Sequence, residues 1–231
     1  MIIKGFAKLT LLDYPGKVAC TIFTGGCNFR CPFCHNASLA TRAGEVASIP
    51  EEEIFELLRK RKGILDGVCI TGGEPLLFGD ELKDFIINIK KLGYAVKLDT
   101  NGSFPDRLAS LIEADLIDKV AMDIKNSPTK YGLTAGVENF DMSPILESIE
   151  LLKSSGIDYE FRTTVVKELH SASDLEEIGK MIAGAKEYYL QSFVDSGDLI
   201  GEGLSAPSPE DMEAYRKIAE KYVPNTQIRG L

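Results

Sequence analysis

Long apolar runs are absent from this sequence, which excludes a helix able to cross a bilayer. Residues 1–5 do not lead from a basic segment into a long apolar stretch, so no secretory signal is predicted. A secreted disulfide framework is missing as well, because three of the five cysteines lie together in residues 27–34. These absences predict a cytoplasmic protein in a reducing compartment, with no membrane partner.

Positive charge is also scarce: 26 lysines and arginines stand against 35 aspartates and glutamates, and the formal net charge is −9. Proteins that bind nucleic acid usually present a basic face. A local basic cluster, Arg59–Lys62, follows a segment of helical periodicity and suits the negative end of a helix dipole. We therefore expect no nucleic-acid partner.

No repeat, low-complexity tract or linker rich in proline and serine divides the chain. Short β-branched or aromatic runs instead alternate with segments of helical periodicity, which is typical of βα units and a largely parallel sheet. Strands are predicted near 18–24, 67–71, 94–99, 119–124, 159–166 and 187–193. Helices are predicted near 51–62, 80–92, 104–114, 142–155, 173–183 and 208–222.

Six such units are fewer than the eight of a closed barrel. At 231 residues and 44% hydrophobic composition, the chain can bury one sizeable core. The prediction is an α/β protein with one domain, residues 1–231, built as an open, partial (β/α)6 TIM-like barrel.

The short loop that carries Cys27, Cys31 and Cys34 has the spacing C-x3-C-x2-C. A structural zinc site usually takes four protein ligands, commonly as two separated pairs. A four-iron cluster also has four corners, so three cysteines would leave one iron open to bind another molecule. We predict such a cluster here, whereas Cys20 and Cys69 lie in apolar, strand-like runs and are predicted to be small buried hydrophobes.

In parallel βα architectures, ligands bind at the carboxyl ends of the strands. Gly72 and Gly73 would let the backbone approach a ligand whose amino group pairs with Glu74; alternatively, they form a tight turn beside a solvated Glu74. The ends of the next three strands also carry polar residues that could bind a ligand: Asp99 with Asn101, Asp123 with Lys125, and Arg162. Alternatively, Asp99 and Asn101 belong to an ordinary turn, and Asp123 and Lys125 form an ion pair.

The cysteine loop, with Phe33 in an aromatic position, resembles the cluster loop of the radical S-adenosylmethionine (SAM) enzymes. Four strings in this order are similar to the activating enzymes of glycyl-radical enzymes. Together with the opening segment, from Ile3–Gly5 through Asp13–Lys17, they look most like the activating proteins of anaerobic ribonucleoside-triphosphate reductase and the pyruvate formate-lyase-activating-like proteins. These strings are the cysteine loop and the segments Gly72–Pro75, Asp99–Gly102 and Met122–Lys125. The resemblance implies the radical SAM fold.

The resemblance also implies a set of cofactor contacts. Cys27, Cys31 and Cys34 would hold a single [4Fe-4S] cluster, and SAM would chelate its fourth iron. The remaining implied contacts are the Gly72–Gly73 backbone and Glu74 to the SAM amino group, Asp99 or Asn101 to the ribose, Asp123 and Lys125 to the amino-acid part, and Phe33 with Val165 or Val166 to the adenine. Arg162 is a further candidate, as is Gln191, which stands where the activase of pyruvate formate-lyase has a histidine.

The implied reaction is reductive cleavage of SAM to a 5′-deoxyadenosyl radical, which removes a hydrogen atom from a glycine of a partner enzyme. A flavodoxin- or ferredoxin-type protein would supply the electron. Two alternatives stay open: a radical SAM reaction on a small molecule, such as deazapurine formation, and a non-catalytic protein that binds zinc or carries electrons.

Two expectations concern segments near the strand ends. The stretch Asn126–Asn139 is the longest irregular segment and contains Gly132 and Gly136, so we expect it to border an open mouth and to help dock the partner. His170 lies in a loop before a helix and is predicted to be solvated.

Overall fold

The computed structural model describes residues 1–230 and contains eight strands. The strands are β1 (Ile3–Thr10), β2 (Ala19–Thr24), β3 (Gly67–Gly72), β4 (Ala95–Thr100), β5 (Lys119–Asp123), β6 (Asp158–Val165), β7 (Tyr188–Ser192) and β8 (Thr226–Arg229). They hydrogen-bond in chain order within one sheet. β1 is antiparallel to β2, and β2 pairs in parallel with β3, β3 with β4, β6 with β7, and β7 with β8. The fold is therefore an open, mostly parallel α/β sheet, as predicted, and all six predicted strands are present.

The two edge strands were not predicted. In β1, Lys4, Gly5 and Lys8 interrupt the apolar residues, and most of its side chains are half-buried or exposed. β8 has only four residues, of which Ile228 is the one aliphatic member. Neither segment shows the run of β-branched and aromatic residues by which buried strands are recognised.

Eight α-helices join the strands within residues 1–230. They are α1 (Ala37–Thr41), α2 (Glu51–Lys60), α3 (Asp80–Lys91), α4 (Pro105–Glu113), α5 (Tyr131–Ala135), α6 (Ser143–Ser154), α7 (Ala172–Met181) and α8 (Pro209–Ala219). The six longer helices are the predicted ones. The two five-residue helices, α1 and α5, and the 3₁₀ turn Pro75–Phe78 are too short to display a helical period. None of these helices is long and apolar enough to cross a bilayer.

Contacts between Cα atoms divide the chain into two compact units. The first consists of Met1–Asn28, Ser38–Thr100 and Asp106–Val120, and its core includes the fully buried Ile22, Ile70 and Leu98. The second consists of Phe29–Ala37, Asn101–Pro105 and Ala121–Leu231, and its core includes Met122, Phe161 and Leu190. The prediction of one domain over residues 1–231 stays a prediction, and residue 231 lies outside the described chain.

Candidate functional site

The cysteine loop begins in the first unit with Cys27, which is half-buried, and continues in the second unit. There, the Cys34 N–H donates to the Cys31 carbonyl over 3.0 Å, so a turn joins the last two cysteines. None of the three is in a disulfide, and thiols at this spacing have the donor chemistry that an iron–sulfur cluster requires. Within residues 1–230, no three His, Cys, Asp or Glu side chains form a ready metal-binding group, so joint ligation by the three cysteines stays a prediction.

The segment Asn126–Asn139 packs against the start of the loop in the second unit. The Arg30 N–H donates to the Ala135 carbonyl over 2.8 Å. Gly136 has φ +66°, and a Cβ placed there would lie 2.2 Å from the Arg30 oxygen. Only glycine fits this approach without a shift of the backbone. The segment therefore braces the cysteine loop.

A second contact holds the middle of the loop. In the connection between β7 and α8, the Gly201 N–H donates to the Pro32 carbonyl over 2.8 Å, and a Cβ on Gly201 would meet the Pro32 Cβ at 2.7 Å. The ring of His35 lies 5.8 Å from the ring of Phe193. The loop is thus fixed by backbone contacts on both sides of Cys31.

In the first unit, the end of β3 approaches the end of β2 closely. Gly72 has φ +118°, and a Cβ on it would lie 2.3 Å from the Thr24 nitrogen. A Cβ on Gly73 would lie 1.8 Å from the Gly26 oxygen. Both glycines are therefore required by the packing of these strand ends, in addition to any contact with a ligand.

Glu74 is fully buried, so the alternative of a solvated carboxylate is wrong. Its Oε1 accepts hydrogen bonds from the Leu76 N–H at 3.0 Å and from the Thr100 hydroxyl at 2.8 Å. A buried carboxylate needs such partners because desolvation disfavours its charge. The side chain thereby ties the end of β3 to the end of β4.

Asp99 pairs with a lysine that was not recognised from the sequence. Lys97 is 1% exposed, and its Nζ contacts Asp99 Oδ1. The Sγ of Cys69, which is buried as predicted, lies 3.8 Å from the same oxygen. The spacing in the sequence could have indicated this ion pair, because Lys97 and Asp99 are two residues apart on one strand and so share a face.

Asn101 belongs to the second unit and is 6% exposed. Its Oδ1 accepts from the Ser103 N–H at 2.9 Å and from the Ser103 hydroxyl at 2.6 Å. The turn alternative for this segment is therefore realised, and its proposed contact with a ribose stays a prediction.

Asp123, Lys125 and Arg162 form one charged group in the second unit. Lys125 Nζ lies 3.0 Å from Asp123 Oδ2, and Arg162 Nε and Nη2 each lie 2.9 Å from Oδ1. Burial opposes ionisation of Asp123, but Arg162 and Lys125 together lower the pKa of Asp123 to about 2. Burial likewise opposes the charge of Lys125, yet Asp123 and then Cys31 raise the pKa of Lys125. Both groups are therefore charged at neutral pH and form the ion pair that was the alternative to ligand binding, and their contact with a zwitterionic ligand stays a prediction.

The remaining predicted residues lie around this charged group or at neighbouring strand ends. The Phe33 ring is 5% exposed, and its centroid lies 5.9 Å from Lys125 Nζ. Val165 and Val166 are fully buried at the end of β6. Gln191 is half-buried on β7, in register with Thr164.

His170 was predicted to be solvated, and this prediction is wrong, because the residue is 3% exposed. Its N–H donates to the Val166 carbonyl over 3.0 Å, which turns the chain inward after β6. The next residue, Ser171, caps α7 through a capping box with Asp174. The turn before the helix therefore directs the imidazole into the protein.

A family model of the radical SAM superfamily matches residues 21–182. The chain belongs to the radical SAM superfamily. The cofactors of this family are a [4Fe-4S] cluster and SAM, and the chain is a radical SAM enzyme.

Curated relatives extend across this radical SAM chain. A Methanocaldococcus jannaschii protein, provisionally named a glycyl-radical enzyme activating enzyme, is 33% identical over 100% of the chain and 96% of its own length. The pyruvate formate-lyase 1-activating enzyme of Escherichia coli is 28% identical over 95% of each chain. The 7-carboxy-7-deazaguanine synthase of Koribacter versatilis is 32% identical, but over 64% of this chain and 62% of its own.

Among solved structures, the Streptococcus suis SuiB bound to its precursor peptide SuiA matches with a TM-score of 0.72. The match covers 91% of this chain and 48% of SuiB, so the chain spans about half of that protein. At 15% identity, the likeness concerns the fold alone.

Proposed function

We propose that this protein is an activating enzyme that cleaves SAM reductively and generates a glycyl radical on a partner enzyme. The observation that carries the proposal is the extent of the similarity: the two activating enzymes described above align over 95% or more of the chain. The deazaguanine synthase aligns over 64% of it. The proposed partner is an anaerobic ribonucleotide reductase or a pyruvate formate-lyase type of enzyme, with a flavodoxin- or ferredoxin-type electron donor.

Cys27, Cys31 and Cys34 would hold the cluster, which supplies the electron for breaking the carbon–sulfur bond of SAM. The protein's own contribution is to bind and orient the cofactor. Asp123 and Lys125 carry opposite, fixed charges and would contact the amino-acid part of SAM, where Lys125 would pair with the carboxylate.

The other contacts would bind the SAM amino group and orient the nucleoside. The Gly72–Gly73 backbone with Glu74 would bind the amino group, and Asp99 or Asn101 would bind the ribose. The apolar surfaces of Phe33 and of Val165 or Val166 would enclose the adenine and exclude water from it. Arg162 holds Asp123 in place, and Gln191 would lie at the edge of the pocket.

The proposal is tested with anaerobically reconstituted protein, SAM, a reductant and a purified anaerobic ribonucleoside-triphosphate reductase. We expect a glycyl-radical signal in the reductase by electron paramagnetic resonance, together with 5′-deoxyadenosine. A pyruvate formate-lyase in place of the reductase distinguishes the two partner types. A small molecule that alone supports full turnover, with no radical in either partner, would overturn the activating role.

A prediction for Glu74 separates charge from hydrogen bonding. Glu74→Gln keeps an oxygen that can accept from Leu76 and Thr100 but removes the negative charge. We expect SAM affinity to fall roughly 10- to 100-fold at unchanged iron content, because a hydrogen bond to a charged group contributes about 1.5–3 kcal/mol. Isothermal titration measures this change.

The matched control for Glu74 is Thr100→Val, which removes the hydroxyl on Oε1 and leaves the charge. It should weaken SAM binding far less than Glu74→Gln. Equal affinity of Glu74→Gln and the unaltered protein would show that this carboxylate only supports the strand ends.

A further inference from the structure

One buried imidazole connects two segments that the proposed function assigns to cofactor binding. His170 Nε2 lies 2.9 Å from the Lys125 carbonyl oxygen, and Nδ1 lies 3.1 Å from the Val166 nitrogen. Lys125 follows β5, and Val166 follows β6. The ring therefore spans the ends of two neighbouring cofactor segments, and all three residues belong to the second unit.

The backbone partners decide the tautomer. The Val166 N–H can only donate, so Nδ1 must accept, and the Lys125 carbonyl can only accept, so Nε2 must carry the proton. Nδ1 is also 3.3 Å from the Val166 carbonyl, but a proton there would leave Nε2 facing the Lys125 oxygen with a lone pair. The neutral ring with its proton on Nε2 satisfies both backbone groups.

We propose that His170 is a positioning residue of the cofactor site, which in its neutral form sets the spacing between the Lys125 and Val166 segments that would enclose SAM. The inference rests on the proposed cofactor contacts of these two segments. His170 itself would contact neither the cluster nor the substrate. It would act through the backbone of Lys125 and Val166, which are proposed to contact SAM.

The charged groups that act on the ring, Asp174 and Lys130, pair with each other. Lys130 Nζ lies 2.6 Å from Asp174 Oδ2, and the Ser127 hydroxyl donates to Asp174 Oδ1 over 3.0 Å. Burial lowers the pKa of His170; Asp174 acts against this shift, and Lys130 acts with it. The imidazole is therefore neutral at neutral pH, as the two hydrogen bonds require.

Acidification should break the link. The pKa of His170 is lower in the folded protein than its value near 6.5 in the unfolded chain. The hydrogen bond from the Val166 N–H to the ring is therefore intact above pH 6.5 and is lost as the pH falls through the folded pKa. A proton on Nδ1 would face the Val166 N–H, so the Val166 segment would lose its acceptor, whereas Nε2–H would still donate to the Lys125 carbonyl. SAM affinity should decrease over the same pH range.

The experiment uses the full chain with its reconstituted cluster and compares His170→Gln and His170→Asn with the unaltered protein. Glutamine can place an amide N–H near the Nε2 position and donate to Lys125, whereas the shorter asparagine cannot reach as far. We expect SAM affinity at pH 8 to fall about tenfold in His170→Asn and less in His170→Gln, which is the loss of about one hydrogen bond. Both variants should keep their iron.

The pH profile separates positioning from stability. The difference in affinity between the unaltered protein and His170→Gln should narrow as the pH falls below 6.5 and through the folded pKa of His170, because only the histidine loses its hydrogen bond to Val166. The control is Tyr159→Phe, which removes a buried hydroxyl that accepts from the Lys186 N–H near the opposite end of β6. It should lower the thermal midpoint and leave SAM affinity and its pH profile unchanged.

The experiment distinguishes a failure of the proposed function from a failure of the inference about His170. If the unaltered, cluster-loaded protein does not bind SAM, the proposed function fails. If it binds SAM and both His170 variants bind equally well at every pH, with only a lower thermal midpoint, His170 is a structural residue and the inference is wrong.

Discussion

Replacing Cys31 with alanine is expected to abolish the iron–sulfur cluster and, with it, all cleavage of SAM. The anaerobically reconstituted protein should contain about four irons per chain, which is the content of one four-iron cluster. Removing one of three thiolates leaves two adjacent corners without protein ligands. Iron and sulfide analysis, with the spectrum of the reduced cluster, measures the loss.

The matched control is Cys20→Ala. Cys20 is fully buried on β2, and burial raises the pKa of its thiol to about 12. A thiol that stays protonated is a poor metal ligand, so this variant should keep its iron and lose only some stability. A full cluster in Cys31→Ala, or a lost one in Cys20→Ala with intact folding, would contradict the assignment of the ligands.

The elements that could be predicted from the sequence are those whose signal is local. Each of the six predicted strands has its own β-branched or aromatic run, and each of the six predicted helices has its own periodic pattern, as in α3, where Leu82, Phe85, Ile86 and Ile89 are buried. The cysteine spacing and the glycines before Glu74 are likewise contained in short strings. Such patterns survive in a single sequence because they depend on residues a few positions apart.

Features that depend on distant partners could not be predicted in this way. Nothing near His170 in the sequence shows that its ring meets Lys125, which is 45 residues away. The buried state of Glu74 likewise depends on Thr100, 26 residues further on. A buried polar residue can be recognised only when its partner is known, because the partner compensates for its desolvation.

The segment Asn126–Asn139 illustrates the same limit. Its glycines and lack of periodicity predicted an irregular loop for partner docking. In the structure it contains α5, in which Tyr131, Thr134 and Ala135 are buried, and its backbone contacts Arg30 in the cysteine loop. The contacts favour a role in supporting the cluster loop, whereas docking of the partner by this segment stays a prediction.

Substituting Gly136 by alanine is expected to damage the cluster and both reaction products together. Two costs act at this position: φ is +66°, and the new Cβ would lie 2.2 Å from the Arg30 carbonyl oxygen. The first costs roughly 1–2 kcal/mol. The second cannot be relieved by a side chain, because the clashing atom is backbone, so the segment or the cysteine loop must move.

Gly156→Ala provides the control for the cost of placing alanine at a positive φ. Gly156 has φ +78°, in the same left-handed region, but a Cβ there would meet no atom within 4 Å. This variant should therefore lose about 1–2 kcal/mol of stability and retain its iron. The difference between the two variants isolates the contact with the cysteine loop.

The readouts of Gly136→Ala decide what the segment does. If it supports the cluster loop, iron content, 5′-deoxyadenosine and the glycyl-radical signal of the partner should all fall in parallel. If iron and 5′-deoxyadenosine stay at the level of Gly156→Ala while only the partner's radical is lost, the segment docks the partner instead. Parallel loss is expected, because a shift at Arg30 is transmitted along the backbone to Cys31, the next residue of the loop.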